Sequence, residues 1–126
     1  MKRIWIGAAL LAFLLAAGLW TGERMEKAYT EVARQLRLCG EAARAEQWDL
    51  ARQQADQAQE QWEEQWDFAA ALADHTALDE IDGVFQQLQV CLDSRDALCS
   101  AALCARLSQM VDALQEAHKL TWRNLL

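Results

Sequence analysis

No proline occurs anywhere in the 126 residues, and there are only five glycines. Tight β-turns therefore lack the residues that favour them, while alanine, leucine, glutamate, glutamine and arginine supply helix formers in quantity. A strand-rich fold is excluded and an all-α protein is predicted. Length sets a second limit, because one short anchoring segment leaves room for a single packed core of about a hundred residues.

Positive charge is also scarce. Twelve Lys and Arg stand against nineteen Asp and Glu, a formal charge of -7, and two of the twelve, Lys2 and Arg3, lie at the extreme N-terminus. Between Glu41 and Asp82 twelve carboxylates are accompanied only by Arg44 and Arg52. No nucleic acid partner is expected, since binding one requires Lys and Arg to displace phosphate counterions. The same excess would repel an anionic lipid face, although its ordinary meaning is a solvated helix surface.

One long uncharged run is present, "IWIGAALLAFLLAAGLW", Ile4 to Trp20. As a helix it rises about 25 Å, slightly less than the roughly 30 Å hydrocarbon core of a bilayer. Trp5 and Trp20 suit the two interfaces, and Lys2 and Arg3 can extend outward to water. Residues 1–22 are thus expected to form a single-pass transmembrane helix, with the N-terminus cytoplasmic and residues 23–126 an extracytoplasmic helical bundle. A secretory signal peptide opens in the same way, with Ala16-Ala17-Gly18 as its small residues, but the long run and the bulky Trp20 favour retention.

Beyond the anchor, apolar residues recur at steps of three and four. A first stripe runs Met25, Tyr29, Val32, Leu36, Cys39 and Ala43, and a second runs Ala51, Ala55, Ala58, Trp62, Trp66, Ala69 and Leu72. A third carries Leu78, Ile81, Phe85, Leu88 and Leu92, and a fourth Cys99, Leu103, Leu107, Met110, Leu114 and Ala117. Turns at Glu46–Asp49, near residue 75 and at Asp93–Asp96 make neighbouring helices antiparallel, with Asp93 or Ser94 capping the fourth. The economical architecture is an up-down-up-down bundle of two helical hairpins. The first and last turns lie nearly fifty residues apart, but no residue consensus recurs at that offset, which argues against a two-unit solenoid.

Four cysteines in an exported domain permit disulfides. Cys91 and Cys99 lie level on either side of the turn near residue 95, and Cys39 and Cys104 lie at matched depths on the first and fourth helices. Spacing therefore suggests Cys91 with Cys99 and Cys39 with Cys104. Reduced cysteines packed as small apolar side chains are the alternative, and a zinc site is disfavoured because no CxxC pair exists.

The stretch "ADHTALDEID", Ala73 to Asp82, holds one of two histidines among carboxylates. Thr76 followed by Asp79 reads as a capping box, and Asp79, Glu80 and Asp82 suit the positive end of a helix dipole. The chemical alternative takes His75, Asp79 and Asp74 as ligands of a divalent cation, a weakly selective set. His118 reads as a helix-end cation. No Gly-rich phosphate loop, G-x-S-x-G elbow, H-E-x-x-H or EF-hand loop occurs, so neither an enzyme nor a cofactor is indicated.

The ordering of a basic start, one apolar segment, "EQWDLA" at the first turn, "DHTALDEID" in the middle and "NLL" at the end resembles family 4363 of the domains of unknown function. That resemblance implies a small single-span protein of a Gram-positive bacterium, with no assigned activity. Its D-H-x-x-L-D-E-I-D pattern falls on Asp74, His75, Leu78, Asp79, Glu80, Ile81 and Asp82. The sequence points to a membrane-anchored module acting through an unidentified protein partner, with Trp62, Trp66 and Trp122 as contact candidates. A cation or small-ligand sensor built on His75 and Asp79 is the competing expectation.

Overall fold

The computed structural model describes the backbone of residues 2–72 and 75–125, and the side chains of these except at 21, 22, 25, 68, 69, 71, 72 and 121–125. The stripe positions Met25, Ala69 and Leu72, together with Asp74 and Trp122, therefore lie outside the described side chains. The chain forms four helices and, among the described residues, no strand: α1 (Lys2–Arg44), α2 (Trp48–Leu72), α3 (His75–Asp93) and α4 (Ala97–Leu125). Each packs on its chain neighbour, and α1 also packs along α4, which closes the bundle. A solenoid would leave its first and last helices apart.

The apolar segment and the first bundle helix are one helix. Forty-three residues of α1, about 65 Å at 1.5 Å per residue, run without interruption through residues 22 and 23. Composition changes there and the backbone does not. Along the first half Ile4, Trp5, Phe13 and Leu19 are exposed, whereas from Tyr29 onward Val32, Leu36, Cys39 and Ala43 are buried.

The two hairpins end in the same turn. Gln47 N–H donates to the Ala42 carbonyl and Glu46 N–H to that of Ala43; 49 residues later Asp96 donates to Cys91 and Arg95 to Leu92. These paired bonds are Schellman motifs, and their left-handed residues are Glu46 (φ 58°) and Arg95 (φ 51°) instead of glycine. The expected cap at Asp93 or Ser94 is corrected: Asp93 ends α3, and Asp96 Oδ1 accepts from Cys99 N–H at 3.1 Å. An aspartate at the position before Ala97 reaches the amide three residues on, which Asp93 is too far back to do.

Burial repeats at the same offset. Tyr29, Val32, Leu36, Cys39 and Ala43 are matched by Leu78, Ile81, Phe85, Leu88 and Leu92; Ala51, Ala55, Ala58 and Trp62 are matched by Ser100, Cys104, Leu107 and Val111. All are buried, yet no pair is identical. The second hairpin thus repeats the first in which faces it buries and in how it turns, while volumes are exchanged between helices. Alanines on α2 bring it close to α1 near the first turn, and Gly40 brings α1 close to α4: a Cβ there would stand 3.3 Å from that of Cys104.

Candidate functional site

The half of the bundle nearer the apolar end of α1 contains a group of aromatic and polar side chains contributed by all four helices. Trp62 and Trp66, one turn apart on α2, both aim their indoles at α3. Trp62 Nε1 donates to Asp82 Oδ1 at 2.7 Å, and Trp66 Nε1 to Asp82 Oδ2 at 3.1 Å. His75, the first residue of α3, presents its ring edge-on to Trp66 at 6.0 Å. Behind Trp62 lie Tyr29 of α1, ring centroid 6.3 Å away, and then His118 of α4, 5.5 Å from Tyr29.

Burial holds this interior uncharged. Desolvation raises the Tyr29 phenol to about 12 and lowers His118 from its ordinary 6.5, so both are neutral near pH 7. The Tyr29 hydroxyl and both ring nitrogens of His118 are buried without a hydrogen-bond partner. Asp82 has both oxygens occupied by indole donors, an arrangement that fixes α2 against α3. The chemistry available is clasping and proton sensitivity, with no nucleophile set beside a base among the described residues.

Two expectations change here. His118 is not a helix-end cation: α4 continues to Leu125, about two turns further, and the ring is only 7% exposed against Tyr29. Trp62 is fully buried and Trp66 packs partly buried on the core, so Trp62 offers no surface to a partner. Sequence spacing places both tryptophans on the core stripe, but their shared acceptor in α3 could be inferred only with the hairpin register in hand.

His75 and Asp79 are both exposed, and among the described residues no group of three or more His, Cys, Asp or Glu could hold a metal. α3 has begun by His75, so Thr76 sits within the first turn instead of before it. Asp79, Glu80 and Asp82 occupy the second turn, with Leu78 buried before them and Ile81 buried among them. Of the pattern from Asp74 to Asp82, the interior residues thus clasp α3 to α2, and the exposed carboxylates face solvent.

Cys91 and Cys99 are joined as a disulfide, Cα atoms 5.9 Å apart, across the second Schellman turn. Cys39 and Cys104, expected as a second bridge, are instead two buried thiols. Their mutual interaction holds the Cys39 thiol below its ordinary range and, together with burial, pushes the Cys104 thiol upward. Lys2, Arg3, Trp5 and Trp20 are all exposed on α1, and the Arg24 guanidinium stacks over the Trp20 ring at 4.8 Å.

Comparison with known families bears on the whole bundle. The family model described as Domain of unknown function (DUF4363) matches residues 19–125. The chain belongs to that family. The DUF4363 match takes in the bundle part of α1 and all of α2, α3 and α4, and leaves most of the apolar segment outside. No curated protein and no solved structure matches the chain. Two helices are long and apolar enough to cross a membrane, Lys2–Trp20 and Ala97–Leu120. The second supplies one side of the core through Cys104, Leu107, Val111 and Leu114, whereas no residue of the first window is buried.

Proposed function

We propose that this protein is a membrane-tethered interaction module, with residues 2–20 of α1 in the bilayer, the N-terminus cytoplasmic, and the bundle held outside the cell membrane to bind a protein partner. The observation that carries the reading is the division of α1. Its apolar half leaves Trp5, Ile4 and Phe13 at least 70% exposed, a surface that water disfavours and lipid accepts, while its other half is the spine of the core. Lys2 and Arg3 on one side of the segment orient it by the positive-inside rule.

A continuous helix through the interface makes the bundle a rigid extension of the anchor. The partner-facing side is assigned to α2, where Glu60, Glu63, Glu64 and Asp67 are exposed and engage no cation among the described residues. Several carboxylates elsewhere are occupied, as in Arg52–Asp93, Arg34–Glu31 and Lys119–Glu26. Complementary charge on a basic partner steers association and sets its orientation.

The reading is tested by crosslinking in intact cells, extraction in detergent and identification of co-purified chains, together with N-terminal sequencing of the recovered protein. A stoichiometric partner lost on changing Glu60, Glu63, Glu64 and Asp67 to Lys, with the N-terminal segment retained, supports it. Recovery of the chain alone from a crosslinker-active sample overturns the interaction, and removal of the N-terminal segment overturns the tether.

A further inference from the structure

We propose that Cys39 and Cys104 form a second disulfide that clasps the anchor-bearing hairpin to the other hairpin, an inference that rests on the extracytoplasmic placement above. The two residues lie on α1 and α4, the pair of helices that closes the bundle, and their side chains are 0% and 1% exposed. Gly40, next to Cys39 in the chain, packs against Cys104, so the two cysteines share one level of the α1–α4 interface. Backbone approach is equally close beside them, since a Cβ on Gly40 would lie 3.3 Å from Cys104 Cβ and 3.9 Å from the Ala101 carbonyl oxygen.

The Cys91–Cys99 bridge joins α3 to α4 within one hairpin and spans eight residues. A Cys39–Cys104 bond joins the two hairpins and closes a loop containing all of α2 and all of α3. Cross-links of that length remove far more freedom from the unfolded chain than short ones do. Its chemistry is thiol–disulfide exchange with a disulfide oxidant, either a small-molecule disulfide or an oxidoreductase of the exported compartment.

The Cys39 thiolate attacks one sulfur of the oxidant's disulfide, giving a mixed disulfide and releasing one oxidant thiolate. Cys104, deprotonated in its turn, attacks Cys39 Sγ, forms the intramolecular bond and expels the second thiolate. The protein loses two protons and two electrons, and one oxidant disulfide becomes two thiols. Because both sulfurs are buried, the exchange takes place while α1 and α4 are docking, before the core excludes the oxidant.

The test is unfolding and refolding of the full-length protein in detergent with a mixture of oxidised and reduced glutathione, in parallel with isolation of the protein from its native membranes. Both samples are denatured without reductant, free thiols are alkylated, and linked peptides are mapped by mass spectrometry. Two bridges, with a peptide joining Cys39 to Cys104 in both samples, are expected. Alkylation of Cys39 and Cys104 after oxidative refolding overturns the clasp wherever the protein resides. A clasp that forms on refolding, while all four cysteines are alkylated in the native sample, supports the pairing and overturns the exported placement. The Cys91→Ser/Cys99→Ser double variant, two hydrogens lighter than its reduced form after oxidation, shows that the clasp closes without its neighbour; an unchanged mass in a natively helical sample overturns it.

Discussion

Trp62 Nε1 donates to Asp82 Oδ1 at 2.7 Å across the α2–α3 interface, and Trp66 Nε1 donates to the other oxygen of the same carboxylate. Trp62 is fully buried, so its indole N–H has no access to water if the acceptor is removed. Asp82→Ala is expected to cost about 2–4 kcal/mol, combining a lost charge-assisted bond with an orphaned buried donor. Asp82→Asn keeps an acceptor for Trp62 and is expected to cost less, on the order of 1–2 kcal/mol. Denaturant midpoints of the full-length protein in detergent measure both; losses below about 1 kcal/mol in both would show that the indole bonds do not hold the interface.

This relationship marks the limit of what the sequence makes legible. Period and composition expose the four helices, their order and most of the core of α1 and α3, because Leu36 and Phe85 fall where a 3.6-residue repeat requires, whereas on α4 Ala117 is exposed and the buried face runs through Cys104, Leu107, Val111 and His118. The Trp62–Asp82 bond depends on the rotation of two helices about their axes, which spacing along one chain does not contain. His118 is obscured differently, because residues 119–125 extend α4 beyond the point where a helix-end histidine would belong. The repeat escapes notice because its positions preserve burial and exchange residue types, Trp62 standing where Val111 stands and Ala55 where Cys104 stands. Turn chemistry hides it further, since neither left-handed residue is glycine.

That absence of glycine makes a prediction about stability. Glu46 and Arg95 hold φ of 58° and 51° on exposed side chains, a conformation in which an L-residue's Cβ crowds its own carbonyl. Glu46→Gly and Arg95→Gly are each expected to stabilise the protein by about 1 kcal/mol, through relief at the Schellman position. The double variant should show the sum of the two, because the turns share no contact that would couple them. Thermal melts raised by both substitutions confirm the strain; a fall in either shows that its side chain contributes more than its backbone costs.

Glycines inside helices behave in the opposite sense according to their surroundings. Gly83 lies in α3 with nothing within 4 Å of a built Cβ, so Gly83→Ala is expected to stabilise by about 0.5–1 kcal/mol through helix propensity alone. Gly40 lies against Cys104, and Gly40→Val is expected to destabilise by about 1–3 kcal/mol by forcing α1 from α4. Midpoints of the two variants moving in opposite directions establish that close approach, and not flexibility, keeps glycine at position 40.

The neutral interior around His118 makes the bundle acid-sensitive. Burial lowers the His118 pKa in the folded protein below the 6.5 of the unfolded chain, so the unfolded state binds a proton first. The stability this histidine contributes is fully present above about pH 6.5 and is lost as pH falls through that value toward the folded pKa. Glu31, hydrogen-bonded to Arg34, is held below the ordinary carboxylate range and outside this window. Tyr29 gives the mirror image, its contribution present below about pH 10 and lost as pH rises toward 12. His118→Phe keeps a ring against Tyr29 and removes the titrating group. Unfolding midpoints of the wild type are therefore expected to drop relative to this variant between about pH 7 and pH 5, and parallel curves would show that His118 takes up its proton without disturbing the core.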